Sequence, residues 1–600
     1  MSYQSGSAIR PASGVPAGAQ PPRARRWSAW GVLAEGWLAA LLFIALVAGA
    51  GYVRSATIWP QAVGLQESPY DDEGVYALAA QLVIQGKQPY RDFVYAHPPL
   101  GPLLLAPAIE YHFTPWGSPT TFMMLRYLEL GYSAATVGLA FLLGWRLWGV
   151  LGGALAGVLL AFDPMSVWAG RHVMLEGPLL FLLALAALLY VLAAEEDEAP
   201  WILLVAAGFF AAAAGGVKLQ GLVLLLAFVL DLLLRRRWLR LLGILIGALF
   251  LWAPLWAYLL YLHGGDPLGQ FIWLQLLRPA DGLITRGARF RQLRADAPLL
   301  LTLAALALLS LPLLAFHRPT RRRRVAPRPG LSGVRLRRLP EFSDAEPEPS
   351  APPEPAPMPS APASVPVRRR PTAAWSMLLI WLLLTVASLI LSRSYYAHYS
   401  VQLALPLALA AGILPLAIER GLRAGWVGRA AGAALAVAAL AAAVFFGVPA
   451  ANNDFTTHPD RLYTIVGRYA GDAVGPDSAV FALDAQIPFR AARRPAREEQ
   501  DRFIVDGYGM LLYHGLHIEG DSQFDLLRRA LRDPKGRDPY VVMWRPDVQQ
   551  QLQASLARSD LAVIDKTSDG RLTDDTRRWL AAHAKLEIQQ DRYAIYRIQR

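Results

Sequence analysis

Three consecutive carboxylates, Asp71, Asp72 and Glu73, follow the first membrane-length apolar run and lead into Gly74-Val75-Tyr76. Charges beside a bilayer are costly unless they sit in water or in a site. A carboxylate held there can accept the proton of an attacking hydroxyl. It can equally cap a helix by accepting from free backbone N–H groups. Further charged groups recur at the same face. Glu176 follows Arg171 and opens an apolar segment, and Lys218 sits in the tight turn Gly216-Val217-Lys218-Leu219. An ammonium or guanidinium in such a place reaches lipid headgroups or binds a phosphate. His97, in His97-Pro98-Pro99-Leu100, and Arg393, with Tyr395, Tyr396, His398 and Tyr399, complete the set. Arg278, Arg286, Arg289 and Arg291 fit either surface charge or a substrate gate.

The elements that position these residues are membrane helices. Of 600 residues, 54% are hydrophobic and 17% charged, and the charges fall in short blocks. Apolar runs of about 20 residues are what a helix needs to cross the hydrocarbon core. Eleven such segments are expected near 33–53, 121–146, 150–168, 174–193, 201–216, 219–234, 239–262, 298–316, 375–392, 400–418 and 427–447. The basic blocks Arg23–Arg26, Arg235–Arg237, Arg321–Arg324, Arg368–Arg370 and Arg420–Arg429 then share one face. Positive residues mark the cytoplasm, so the N-terminus is expected inside and the candidate residues outside. That topology accounts for the net charge of +12 without nucleic acid as a partner. The absence of cysteine excludes disulfides and thiolate metal sites.

The chain divides into a disordered tail at 1–32, a membrane region at 33–316 with an outer loop at 54–120, a linker at 317–374, further membrane helices at 375–447 and a terminal part at 448–600. Residues 73–86 and 99–112 suit interfacial helices rather than spans. The linker holds ten prolines between 340 and 366, a composition with no packed core. The terminal part predicts a small α/β domain, with strands at 479–484, 540–544, 561–565 and 592–598 and helices at 460–474, 522–532, 546–558 and 574–583. The fold class expected is therefore mainly α: a polytopic helical bundle with a small α/β domain outside the membrane.

The order of the motifs carries a resemblance. Asp-Glu-x-x-Tyr-Ala after the first span, His-Pro-Pro-Leu, Arg-x-x-x-x-Glu before the fourth span and Lys-x-x-Gly before the sixth resemble the GT-C membrane glycosyltransferases. Within them, the pattern is similar to bacterial relatives of protein O-mannosyltransferases and of the lipid A aminoarabinose transferase, over roughly residues 30–420. Glu176 stands where many relatives carry Asp, and the Pro-rich insert departs from the family core. The resemblance implies a polyprenyl-phosphate sugar donor in the outer leaflet, and a protein, lipid or glycan acceptor. Carried over, Asp72 is the base with Glu73 in support. Lys218 and Arg171 bind the donor phosphate, seconded by His97 and Arg393, and Glu176 binds the acceptor or orients Arg171. Transfer would invert the anomeric carbon. The spacing of Asp71 and Glu73 matches an Asp-x-Asp metal pair, yet the resemblance implies no essential metal and no cofactor. The place implied is a bacterial-type inner membrane, with the terminal domain extracytoplasmic. The competing reading is a transporter or flippase for a lipid-linked or anionic substrate. Against it, the charges cluster at one face and not at midplane, and no inverted repeat is evident.

Overall fold

The computed structural model describes residues 29–62, 72–195, 200–261, 265–282, 285–316, 372–422, 426–442, 444–445, 462–532, 538–590 and 592–599. Asp71, nearly all of the expected tail and most of the Pro-rich linker lie outside these residues. The protein is mainly helical. Its first ten helices are α1 (Ala29–Ala62), α2 (Asp72–Ile84), α3 (Leu100–Tyr111), α4 (Pro119–Trp148), α5 (Val150–Phe162), α6 (Pro164–Ala169), α7 (Glu176–Glu195), α8 (Trp201–Val217), α9 (Leu222–Leu234) and α10 (Trp238–Tyr261). Four further apolar helices, Pro298–Phe316, Thr372–Leu391, Val401–Ala411 and Trp426–Ala442, follow.

Among the described residues, five helices are long and apolar enough to cross a membrane: Glu35–Ser55, Pro119–Trp148, Glu176–Ala194, Trp238–Tyr261 and His398–Glu419. A sixth arises if Arg286–Ala295 and Pro298–Ser310, bent by 99°, count as one span. The remaining expected segments are shorter apolar helices, among them Trp201–Val217 and Leu219–Leu234.

Small residues let these helices touch. A Cβ on Gly208 would stand 2.1 Å from the Ile244 carbonyl oxygen, and one on Gly247 1.9 Å from that of Val205, so α8 and α10 meet backbone to backbone. Gly144 of α4 and Gly153 of α5 do the same. Charge ties the bundle too: Arg54 of α1 is buried and donates to Ser133 Oγ (2.7 Å) and the Ala161 carbonyl (3.0 Å).

Helices form at both stretches for which interfacial helices were expected, as α2 and α3. The described residues between the expected spans 239–262 and 298–316 are more ordered than a loop. They contain a π-helical turn at Leu268–Trp273, a short helix at Leu274–Leu277 and a helix at Arg286–Asp296. Thr285 caps the last, accepting from Ala288 N at 3.2 Å. Strand β1 (Asp281–Gly282) pairs in parallel with β2 (Ser394–Tyr395), which joins this segment to the C-terminal end of Thr372–Leu391. Arg289 completes the joint by donating to the carbonyls of Leu389 (2.9 Å) and Ser392 (2.8 Å) at that helix's C-terminus.

The C-terminal part holds a five-stranded sheet in the order β4 (Arg494–Pro495), β3 (Ala479–Phe481), β5 (Leu561–Asp565), β7 (Tyr593–Ile598), β6 (Ala584–Gln590). β3 is parallel to β4 and β5, while β5–β7 and β7–β6 are antiparallel. One expected strand is corrected. Residues 540–543 lie in a short helix, Pro539–Met543, with Trp544 at its end, because Pro539 takes the first helical position and Asp538 accepts from Tyr540 N at 2.8 Å. The domain is built into the membrane part. Phe503 N donates to the Asp92 carbonyl (2.7 Å), and Tyr513 Oη donates to Asp266 Oδ2 (2.8 Å). A Cβ on Gly74 would stand 2.2 Å from Gln486 N, so α2 lies directly against the domain's backbone.

Candidate active site

The first turn of α2 separates two neighbouring carboxylates. Asp72 lines a cavity of about 380 Å³, shared between the membrane part and the C-terminal domain. Glu73 is fully buried on the other side of the helix. It accepts from Arg126 of α4 in bidentate fashion (3.1 and 2.9 Å) and from Val173 N (2.8 Å). Burial pushes the Glu73 carboxyl up; the Arg126 guanidinium, His172 and the Val173 N–H together overcome this and hold it at about 2. Glu73 is thus a clamp joining α2, α4 and the turn before α7, and it does not line the cavity.

Around Asp72 the cavity wall brings Tyr76, His97, Arg278, His398 and Tyr399 from the membrane part, and Asp506, Tyr508 and Arg571 from the C-terminal domain. Arg278 and Arg571 both stand over the Tyr508 ring, at 5.8 and 5.1 Å from its centroid. His97 is held by its neighbours: its Nε2 lies 3.3 Å from Tyr76 Oη, and its carbonyl accepts from Tyr90 Oη at 2.7 Å. Burial pushes the His97 imidazole well below its usual range, and the charges of Lys218 and Arg278 and the nearby His398 add to this. The neutral ring can donate or accept a hydrogen bond but carries no charge to a phosphate. Asp506 caps the helix Gly507–Gly515, accepting from Gly509 N at 2.7 Å. Burial pushes its carboxyl up, against the Gly509 N–H and the Arg278 and Arg571 charges.

One layer behind the wall, Glu176 opens α7 and pairs with Lys218 at the end of α8, Nζ to Oε1 2.5 Å. His398 Nε2 is 3.9 Å from the same oxygen, and Lys218 Nζ stands 4.3 Å from the Tyr399 ring centroid. The pair therefore touches the cavity through His398 and Tyr399. Arg171 is buried and donates to the Val53 carbonyl of α1 at 2.6 Å, away from the cavity lining. Arg393 lines a second cavity instead. Of the four arginines left open between surface and gate, Arg278 reaches the site, Arg289 caps a helix, and Arg286 and Arg291 are exposed.

Sequence reasoning missed Asp506, Tyr508 and Arg571, which no local pattern sets apart. It also missed Arg126 and Glu129, for which a signal existed: both are charged residues within an apolar span. Glu129 is fully buried, and neither of its carboxylate oxygens has a hydrogen-bond partner among the described residues. Gly177 makes room for it, since a Cβ there would stand 1.8 Å from Glu129 Oε2.

The chain is similar in fold to ArnT from Cupriavidus metallidurans. The structure bound to undecaprenyl phosphate matches with a TM-score of 0.56 at 15% identity, covering 94% of this chain and 98% of that one. The apo structure of the same protein gives 0.54 at 16% identity, with the same coverage. The Archaeoglobus fulgidus oligosaccharyltransferase matches with a TM-score of 0.52 at 11% identity, covering 88% of this chain and 69% of that one. These likenesses show a shared fold, a helical bundle with several membrane-length helices, and the protein is multi-pass. More narrowly, residues 90–263 match the family of dolichyl-phosphate-mannose-protein mannosyltransferases. No curated protein matches the sequence.

Proposed function

We propose that the protein transfers a sugar from a polyprenyl-phosphate-linked donor to an acceptor hydroxyl at the outer face of a bacterial-type inner membrane. The observation that carries this reading is one cavity, in a GT-C fold, that holds the Asp72 carboxylate together with Arg278 and Arg571. Asp72 takes the proton of the acceptor hydroxyl as its oxygen bonds to the anomeric carbon. The bond from that carbon to the phosphate oxygen breaks, and polyprenyl phosphate leaves with the electron pair. A single displacement inverts the anomeric centre.

The leaving phosphate gains charge, and cations held in a partly dry site stabilise it. Arg278 and Arg571 meet it directly, and Lys218 acts through the wall, with Tyr399 between. These fixed charges do the work a metal would do, so none is required. Glu176 positions Lys218, and His97 supplies a neutral hydrogen bond to donor or acceptor. The distribution of basic blocks supports an N-terminus inside and a C-terminal domain outside.

The test supplies membranes holding the full chain with labelled polyprenyl-phosphate sugar. Asp72→Asn should lower transfer about 10²–10⁴-fold, and a chelator should leave the wild type unchanged. Undiminished transfer by the variant overturns the base assignment. Movement of the lipid-linked sugar across the membrane, with no transfer by the wild type, would favour a flippase.

A further inference from the structure

A second cavity, of about 440 Å³, lies beside the first and has a different character. Its wall includes Arg393, from the outer end of the membrane part, and Arg529, Arg532, Arg545 and His517, from the C-terminal domain. Among the described residues, no carboxylate is in the lining. Several of the guanidinium groups are anchored. Arg393 donates to the Ala530 carbonyl at 3.2 Å, and Arg529 to the carbonyls of Leu516 and His517 and to Asp521. Arg545 pairs with Asp547 at 3.1 Å. Both paired carboxylates stand outside the lining, so the described wall faces the space with cations.

The rim of this cavity is apolar and open. The helix Gln523–Arg532 turns Arg529 and Arg532 to the cavity and presents Phe524, Leu527 and Leu531 at helical spacing along one stripe. Phe524 and Leu531 are each 73% exposed, too much for the core of a water-soluble domain. Val541 and Trp544, beside the cavity, are exposed as well. The same helix is pinned to the membrane part by the contact of Gln523 with Trp273. Arg393 lies two residues beyond Leu391, which ends a lipid-facing helix and is also 73% exposed. The contact of Arg393 with Ala530 brings that exposed apolar end to the helix that carries the stripe.

We infer that this cavity and its rim bind an anionic lipid of the outer leaflet. The phosphate of the headgroup sits among Arg393, Arg529, Arg532 and Arg545, and the acyl chains lie over Phe524, Leu527 and Leu531. Bidentate guanidinium groups suit a phosphate, and an amphipathic helix with basic residues beside its apolar face suits the membrane interface. The assignment rests on the membrane placement of the chain and not on the transfer reaction.

The experiment measures retention of short-chain phosphatidic acid, short-chain phosphatidylcholine and inorganic phosphate by the full chain in detergent, using native mass spectrometry. Phosphatidic acid should be held about tenfold or more above phosphatidylcholine, and Arg532→Glu with Arg545→Glu should remove that preference. Arg532→Lys with Arg545→Lys, which controls for folding, should keep most of it. Phe524→Ser with Leu531→Ser should weaken phosphatidic acid and leave inorganic phosphate unchanged. Equal retention of the neutral lipid, or unchanged binding by the Glu variants, overturns the inference. Inorganic phosphate bound as tightly as phosphatidic acid also overturns it, because the apolar rim would then contribute nothing.

Discussion

Glu73 and Glu176 occupy matching places and are used differently. Each lies in the first turn of a helix, each is fully buried, and each pairs with a cation from another helix. Glu73 is saturated: two bonds from Arg126 and one from Val173 N. Glu176 spends one oxygen on Lys218 and has His398 at 3.9 Å, while its Oε2 has no hydrogen-bond partner among the described residues. A buried carboxylate with both oxygens engaged holds helices together. One left half satisfied, a single layer from a cavity, has capacity for a substrate hydroxyl or a moving proton.

Breaking the saturated pair should cost the fold most. Arg126→Met leaves Glu73 buried and uncompensated, so stability should fall by about 3–5 kcal/mol, read as thermal unfolding in detergent. Glu73→Gln combined with Arg126→Met should recover much of that loss, and sugar transfer with it. If transfer stays absent after stability returns, Glu73 does more than clamp.

Acid should act on the same pair. The Glu73 carboxyl is held at about 2 in the folded protein, below its ordinary 4.5, so its contribution is complete above the ordinary value and is lost as pH falls toward 2. That contribution is on the order of 3 kcal/mol. Unfolding midpoints of the wild type should fall between pH 5 and pH 3 more steeply than those of Glu73→Gln. Parallel curves would show that the clamp does not carry the charge assigned to it.

The half-satisfied pair should respond in the opposite sense. Lys218→Met should lower transfer about 10²-fold through loss of the cation behind the phosphate. Adding Glu176→Gln should restore stability without restoring transfer. Recovery of both would make the two pairs equivalent and erase the distinction between them.

How much of this was legible in the sequence follows from how local each cause is. Alternation of apolar and small residues after an acid marks α2, expected at 73–86 and found at Asp72–Ile84, and a Pro-Pro start marks α3. Membrane-length apolar runs mark most of the bundle by composition alone. Residues 540–544 misled because Tyr540, Val541 and Val542 favour strands, while Asp538 and Pro539 just before them start a helix. β6 was missed because Ala584–Gln590 offers few apolar residues to an alternation pattern. In the site, Asp72, Glu176 and Lys218 announced themselves as charges at the edge of apolar segments. That Glu73 turns away from the cavity depends on Arg126, a contact 53 positions along the chain. Asp506 and Arg571 reach the cavity only through the tertiary docking of a domain whose own sequence carries no catalytic motif.

The close approach of Gly74 to Gln486 bears on when the protein becomes active. Chains emerge N-terminus first, at about 5–20 residues per second. The membrane helices through Trp426–Ala442 therefore exist before Leu483, Asp506 or Arg571 have been made. Until those residues arrive, the Asp72 carboxylate stands in a site with one wall missing and with α2 unsupported along the face that holds Gly74. The last part of the chain is thus the step that closes the cavity, and a nascent or prematurely terminated copy sits in the membrane with Asp72 in an unfinished site.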